Sequence, residues 1–345
     1  MTPFFMSKDV GIDLGTTNTL VYMTGKGIVL REPSVVAVST EGRRGIIAIG
    51  EEARVMLGRT PGSIAAIRPL RDGVIANLEA TESMLKYFIR KAVRTSILGM
   101  NPRIAICVPC GVTEVEKRTV EEAARSAGAR DVMLVDEPMA AALGAGLDIH
   151  RAHGCMVVDI GGGTCETAVI SLGGIVTCKS LRVAGNKMDE AITLYIKKKY
   201  GMVIGERTAE ELKIQIGSLA PAANEATMET RGRDMINGLP VSFVISSAEV
   251  REALMEPALQ IVESVRQVLE NTPPELSADI LESGITLTGG GALLRGMAQL
   301  LSGKTGVRVK PAGNPLDCVA LGSGRALEEM MMVKRTLEYS RAETV

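Results

Sequence analysis

Apolar and polar residues follow one another along this chain in blocks whose period changes. Short runs of β-branched and apolar residues at 10–13, 104–108, 156–160 and 285–288 have the length of strands. Longer stretches at 80–96, 112–127, 188–200, 248–270 and 291–304 repeat with helical spacing. Strands alternating with helices predict an α/β fold. Thr113 with Glu116 marks a capping-box start for the second helix, and Ser247, or Ser246 with Glu249, starts the fourth. Turn-rich passages at 59–63, 220–243 and 271–277 punctuate the pattern. The middle one reads as a hairpin turned at Asn237 and Gly238, inside a small subdomain.

One block occurs twice. "VGIDLGTTNTLVYMTGKGIVL" at 10–30 returns at 157–177 as "VVDIGGGTCETAVISLGGIVT". Laying Asp13 over Asp159 brings Gly15 onto Gly161 and, with one residue of slippage, Gly27-Ile28-Val29 onto Gly174-Ile175-Val176. A second pair keeps the same order: "EPMAAALGAG" from Glu137 and "NPLDCVALGSG" from Asn314. Two signals repeated in one order predict a duplicated fold with two similar lobes. The Ala- and Gly-rich helices from Pro138 and Pro315 allow close packing where the lobes meet.

The first pair also points to chemistry. A strand ending in Asp, followed by a tight Gly-rich hairpin with hydroxyls, presents backbone N–H groups to an anionic phosphate, because glycine admits φ > 0 and carries no side chain to block it. The aspartate fits through a cation, since Mg²⁺ on nucleotide phosphates keeps waters that a carboxylate can hold. Two such hairpins facing each other would clamp a triphosphate, with Asp13 and Asp159 near one Mg²⁺. A third glycine run, Gly289, Gly290 and Gly291 followed by Ala292, joins a strand to a helix and suits a nucleoside or phosphate at a helix N-terminus. Taken singly, each run is an ordinary turn; five such elements in one order leave that reading little room.

Composition narrows the class. A length of 345 residues favours two lobes over one core. A formal net charge of −1 argues against a nucleic-acid partner, which usually needs a basic face. Six cysteines are scattered without a secretory signal and read as reduced and intracellular, and no apolar run approaches the ~18 residues that span a bilayer. "CVPC" at 107–110 has redox spacing but ends a strand and lacks a second pair for zinc. His150 and His153 sit in a loop with no third ligand, and "AQLLSGKT" has Ala298 where a P-loop needs glycine and follows a helix rather than a strand.

The five elements, together with "EPSVVAV", "IGEEARVMLGRTP", "IRPLRDGVIAN", "GERTAEELKIQIGS", "RGRDMINGLP", "TPPELSADI" and "NPLDCVALGSG", resemble the actin, Hsp70 and sugar-kinase ATPase superfamily. Within it they are similar to the MreB/Mbl-type bacterial actins, over nearly the whole chain. The resemblance implies an actin-like ATPase fold with nucleotide in an interlobe cleft, each lobe a central mixed sheet with helices. Lobe I would span 1–145 with a small subdomain near 33–70, and lobe II 146–345 with one near 183–247, a C-terminal helix of about 325–345 returning to lobe I. It implies ATP or ADP with Mg²⁺ as cofactors. It assigns Glu137 and Thr164 to positioning the attacking water, in keeping with phosphoryl transfer, which needs an oriented nucleophile more than a strong base. Gly15, Thr16, Thr17 and Asn18 would line the first phosphate loop and Gly161, Gly162 and Gly163 the second, with Glu210 and Lys213 contacting adenosine. By spacing alone, Glu210 and Lys213 fit a surface ion pair as well. Cys165 stands where many relatives carry a second threonine, which removes a hydroxyl partner.

The resemblance also implies partners and place. Because only ATP engages both hairpins fully, the bound nucleotide selects a conformation. In such families that conformation favours head-to-tail protofilaments, paired antiparallel, on the inner face of the cytoplasmic membrane; a heterologous contact that does not close gives an open filament. The partners are then the chain itself, membrane lipids and the proteins of the cell-wall elongation complex, with rod shape as the outcome and slow hydrolysis as an assembly timer. Phe4 and Phe5, and Ile97, Leu98 and Met100, are the candidate lipid contacts, weak singly and sufficient by avidity along a filament, unless both patches tuck into the core. Two rivals share the superfamily. A sugar or acetate kinase needs a carboxylate base for an acceptor hydroxyl, with Glu137 at the position to inspect. An Hsp70-type chaperone needs a separate peptide-binding domain.

Overall fold

The computed structural model describes residues 9–41, 45–93, 101–221 and 223–342. Phe4, Phe5, Ile97, Leu98 and Met100 lie outside them. The chain forms two compact units: unit 1 is Met1–Asp148 with Asp317–Val345, and unit 2 is Ile149–Leu316.

Unit 1 is built on a five-stranded sheet ordered Asp131–Asp136, Arg103–Val108, Val10–Leu14, Asn18–Met23 and Gly27–Pro33. The first three strands run parallel and each later one reverses. Unit 2 has a sheet ordered Val309–Pro311, Ile285–Thr288, Cys155–Ile160, Cys165–Ser171 and Gly174–Leu181, with the same succession of directions. The repeat is therefore one topology used twice, and it extends to an irregularity. In unit 1, Val21 pairs with Leu30 and Tyr22 with Ile28, so Val29 is left over as a bulge. In unit 2, Val169 pairs with Thr177 and Ile170 with Ile175, which leaves Val176. Val29 and Val176 are the residues that the repeat superposes. An extra residue at a sheet edge sharpens the local twist, and both copies keep it.

The central strands are buried on both faces, which is why they read as continuous apolar runs. In unit 1 the helix Leu78–Val93 contributes Met84, Leu85, Phe88 and Ile89 to a core with Ile12, Ile104 and Ile106. In unit 2 the helix Ser247–Glu270 places Val250, Leu254, Ile261 and Val265 against Met188, Ile192 and Leu212. The capping box at Thr113 and Glu116 is formed, and Ser246 rather than Ser247 caps the later helix, its Oγ accepting from the N–H of Glu249 at 3.3 Å. Small satellite sheets stand on each unit: Val36–Ser39 with Ile46–Ile49 and Ile64–Ile67 in unit 1, and Met202–Val203 with Thr227–Asp234 and Pro240–Ser246 in unit 2.

The Ala- and Gly-rich helices Glu137–Ala145 and Cys318–Ala342 pack closely on each other inside unit 1. A Cβ on Gly144 would lie 1.8 Å from the Cys318 carbonyl oxygen, and one on Gly322 would lie 1.8 Å from that of Ala140. The stretch 291–304 is not one helix. A 3-10 turn, Gly290–Leu293, is followed by extended Leu294 and left-handed Gly296, and the α-helix begins at Met297. Tertiary pairing overrides the helical pattern there: the N–H of Leu219 donates to the Arg295 carbonyl at 2.7 Å, while the Arg295 side chain donates to the carbonyls of Gly217 and Gln215. Gly303, Lys304 and Thr305 consequently end a helix, the opposite of a P-loop lysine.

Candidate functional site

The carboxyl ends of parallel strands share one sheet edge, and in open α/β sheets that edge is where ligands bind. In unit 1 it carries Asp13 and the turn of Gly15, Thr16 and Thr17 from one strand, and Glu137 just beyond another. Glu137 opens a helix with Pro138 in its first turn and is 8% exposed. Asp13 is half-buried, Thr16 buried and Asn18 exposed. The turn is held from outside: Ser34 donates its Oγ to the Gly15 carbonyl at 2.6 Å and its N–H to the Thr17 carbonyl at 2.9 Å. The N–H of Gly73 donates to Thr16 Oγ1 at 3.2 Å. These bonds occupy the carbonyls of Gly15 and Thr17 and one acceptor position of the Thr16 hydroxyl.

Unit 2 repeats the plan. Asp159 ends the strand Cys155–Ile160, and the Gly161 N–H donates to the Thr164 carbonyl at 2.9 Å to close the turn. Here the carbonyls of Gly161 and Gly162 accept from the N–H groups of Gly185 and Asn186 at 3.1 and 2.8 Å, at the start of the helix Gly185–Tyr200. In both units the segment after the third strand thus fixes the turn. Gly289 and Gly291 sit against the same place, for a Cβ on either would strike Ile160, at 2.4 Å from its carbonyl oxygen and 2.2 Å from its side chain. Ala292 is buried beside them.

The two aspartates are in different surroundings. Asp159 is 6% exposed and accepts from Thr288 Oγ1 at 2.6 Å. Burial pushes its carboxyl up from 3.8 to about 6, with the Thr288 hydrogen bond pulling the other way. A buried carboxylate facing the turn of a phosphate-type hairpin is costly without a cation. Among the described residues no three His, Cys, Asp or Glu side chains gather as they would round a bare ion.

Lys213 and Glu210 project from the helix Glu206–Ile216. The Lys213 ammonium donates to Asp189 Oδ2 and to the Gly185 carbonyl, each at 2.9 Å, and lies 2.8 Å from Asp189 Oδ1. Its ion pair is therefore with Asp189 and not with Glu210. Asp189 is 5% exposed; burial raises its carboxyl to about 6 against the pull of Lys213, and the charges of Glu210 and Glu206 add to the rise. Through Gly185 the Glu210 and Lys213 helix is joined to the Gly161–Gly162 turn. Gly185 and Asn186 precede the helix start expected at 188, and Asp189, inside that helix, has a partner 24 residues away that no local pattern announces. The small residues of "VAGNKMDE" were the available signal.

One physical reason needs correction. Gly15, Gly161, Gly162 and Gly163 do not take positive φ. Their lack of a side chain matters instead: a Cβ on Gly15 would stand 2.6 Å from the Asn18 carbonyl oxygen, and one on Gly161 3.3 Å from that of Thr164. Thr164 and Cys165 are buried, and burial with the nearby Glu166 and Asp159 charges pushes the Cys165 thiol far up. Cys165 therefore stays a neutral, packed thiol. The six cysteines form no disulfide. His153 pairs with Asp279 at 3.2 Å, outside these clusters. Among the described residues no helix is long and apolar enough to cross a membrane.

The MreB/Mbl protein family model matches residues 7–335. Cell shape-determining protein MreB of Escherichia coli (strain K12) is 52% identical over 329 residues, covering 94% of this chain and 95% of its own. Cell shape-determining protein Mbl of Bacillus subtilis (strain 168) is 52% identical over 324 residues, covering 94% of this chain and 97% of its own. Among solved structures, MreB5 of Spiroplasma citri bound to AMPPNP aligns with a TM-score of 0.89 at 39% identity, covering 97% of this chain and 99% of its own. Its ADP-bound form gives a TM-score of 0.90 at 39% identity over 96% and 99%.

Proposed function

The chain belongs to the MreB/Mbl protein family, and from that premise we propose that it is an ATP-dependent, filament-forming bacterial actin that scaffolds cell-wall elongation and maintains rod shape. The observation that carries the nucleotide reading is the doubled hairpin. Each unit ends a central strand in an aspartate at the sheet's carboxyl edge, follows it with a glycine turn in which the carbonyls of Gly15 and Thr17, or of Gly161, Gly162 and Thr164, are already bonded, and leaves no side chain over the turn's first glycine. What remains to face a ligand is N–H and hydroxyl, the donor set for phosphate. A relative 39% identical binds AMPPNP and ADP.

In this reading Gly15, Thr16, Thr17 and Asn18 take one side of the phosphates and Gly161, Gly162, Gly163 and Thr164 the other. Glu210, Lys213, Gly289, Gly290, Gly291 and Ala292 serve the nucleoside. Mg²⁺ supplies charge neutralisation of the phosphates, with Asp13 and Asp159 holding its waters. Glu137 and Thr164 orient the attacking water, and slow hydrolysis sets filament lifetime. The filament lies against the inner face of the cytoplasmic membrane, with Phe4, Phe5, Ile97, Leu98 and Met100 as lipid contacts and the elongation proteins docked on it.

High-speed sedimentation with electron microscopy in ATP-Mg, ADP-Mg or no nucleotide, with and without anionic liposomes, tests this. ATP-dependent paired filaments that leave the liposomes when Ile97 and Leu98 become serine are expected. Continued phosphate release without polymer under any condition would replace the filament with a soluble, kinase-like ATPase.

A further inference from the structure

The helix Ser247–Glu270 buries one side in the core of unit 2. Positions spaced by three and four residues from 252 to 267 form one wall of a cavity of about 700 Å³, and the edge strand Gly174–Leu181 forms the other. That is the size of a small-molecule site. None of its lining residues belongs to the nucleotide reading. Leu181, Met255 and Leu259 give it an apolar floor, with Leu259 41% exposed. Glu252, Glu256 and Glu263 stand exposed along its rim. At 3.6 residues per turn the three fall within a stripe about 40° wide, and along the axis they are separated by about 6 and about 10 Å. The rim is thus a straight row of carboxylates.

Among the described residues no Lys or Arg pairs with this row. The neighbouring cations are committed elsewhere: Lys199 to Glu249, Arg251 to Glu225 and Arg266 to Glu270. Lys179, which joins the lining, donates to Gln267. Glu252 accepts from the Tyr195 hydroxyl at 2.8 Å and Glu263 from Gln267 Nε2 at 2.9 Å, neutral donors that orient a carboxylate without cancelling its charge. Ser264 is a separate sign. It lines the same cavity, is 2% exposed, and among the described residues its Oγ has no hydrogen-bond partner. A hydroxyl inside a helix can bond the carbonyl four residues earlier, as Thr305 does on Leu301 at 2.8 Å; Ser264 does not. A buried hydroxyl in that state is costly until something in the cavity bonds it.

We propose that this cavity binds a linear aliphatic polyamine of the spermidine type. The chemistry of such a ligand answers each wall. Its ammonium groups meet the row of carboxylates, the methylene bridges between them lie on Leu181, Met255 and Leu259, and one N–H donates to Ser264 Oγ. Charges set in a row select an extended polycation over a compact one. The apolar floor selects a carbon chain over a metal ion such as Mg²⁺, which keeps its waters and would leave the floor wet. A single lysine side chain would meet one carboxylate and leave the others unanswered. The site needs neither the glycine turns nor self-assembly, so it stands apart from the function proposed above.

Isothermal titration calorimetry of the full chain without nucleotide, at low ionic strength, tests this with spermidine and hexaamminecobalt(III) as probes. The two carry the same charge, and only spermidine has an aliphatic body. One spermidine per chain is expected, bound about tenfold or more tighter than the cobalt complex. An exposed ion pair is worth up to about fivefold, so Glu256→Gln should weaken spermidine about three- to fivefold, and Glu252→Gln, Glu256→Gln and Glu263→Gln together about thirtyfold or more. Ser264→Ala should weaken it about threefold and unfold at no lower temperature than wild type, because the deletion removes an unbonded hydroxyl. Thermal unfolding of the glutamine variants, whose substituted side chains are exposed, separates lost binding from lost fold. Hexaamminecobalt(III) binding as tightly as spermidine, a triple variant or Ser264→Ala that binds as wild type does, or no binding of spermidine at millimolar concentration would each overturn the site.

Discussion

Asp159 offers the sharpest test of the site's physics, because it sets stability against ligand binding. Its carboxyl is displaced from 3.8 in the unfolded chain to about 6 in the folded one, with burial as the main cause. At about 1.4 kcal/mol per pH unit, the displacement is worth about 3 kcal/mol. The sign follows from proton uptake. Below about pH 4 both states hold the proton and the group is neutral to folding; between pH 4 and 6 the unfolded chain ionises first, so stability falls; above pH 6 the full penalty is in place. Asn keeps the oxygen that accepts from Thr288 and cannot ionise. Asp159→Asn without nucleotide or Mg²⁺ should therefore be more stable than wild type by up to about 3 kcal/mol at pH 7.5, the gain vanishing near pH 4. Urea unfolding at pH 4.5, 6 and 7.5, with the slope unchanged, measures it. The same variant should lose the Mg²⁺-dependent part of ATP affinity. A variant no more stable than wild type at pH 7.5, or a difference that is flat with pH, would refute the claim that burial of this charge is what the nucleotide's cation relieves.

Two further outcomes are expected. Gly144→Ala should destabilise by about 2 kcal/mol in urea unfolding, because the new methyl meets the Cys318 backbone and overpacking outweighs the roughly 1 kcal/mol that alanine contributes to a helix. A stabilised variant would show that the two helices separate freely. Lys213→Met leaves the Asp189 carboxyl buried without its partner and should cost about 3–5 kcal/mol at pH 7.5. Lys213 lowers the Asp189 carboxyl, so without it Asp189 takes up a proton already above pH 6 and the deficit should shrink as pH falls from 7.5 toward 6; Lys213→Met with Asp189→Asn should recover most of it, and equal losses in the single and double variants would contradict this.

Much of the architecture could be read in the chain because burial on both faces turns central strands into unbroken apolar runs, and because a duplicated hairpin leaves the same Asp-to-Gly spacing twice. The one-residue slippage between the copies comes from their second strands and turns: Met23 pairs with Gly27 across a three-residue turn, whereas Ser171, two residues further from its aspartate, pairs with Gly174 across a two-residue turn. What the sequence hid depends on register and on long-range bonds. Thr288 reaches Asp159 only because their strands pair in parallel, and nothing local in "ITLTGGG" announces it. Lys213 chose Asp189, 24 residues away, over Glu210, one turn away, since the buried carboxylate has the greater need of a cation. The helix expected from 291 fails because the Arg295 carbonyl and side chain are committed to the segment 215–219.

The two halves, alike in topology, differ in what surrounds the turn, and the difference has a direction. In unit 1 the turn is braced by Ser34, which directly follows the strand Gly27–Pro33, and by Gly73, in the turn between the two-residue strands Leu70–Arg71 and Val74–Ile75, and Asp13 stays half-buried. In unit 2 the brace is the first turn of a sixteen-residue helix, itself tied through Lys213 and Asp189 to the helix Glu206–Ile216. A pull on the Gly161–Gly162 turn therefore moves a helix whose far end, through the Gly201 carbonyl, holds the base of the exposed hairpin tip. Rigid elements carry such a displacement only if both ends have two arrangements. That makes the coupling measurable: hydrogen exchange at 235–239 should slow on addition of ATP but not of adenosine, because only the phosphates reach the glycine turn. Equal protection by both ligands would place the effect at the nucleoside helix and remove the Gly185 linkage from the path.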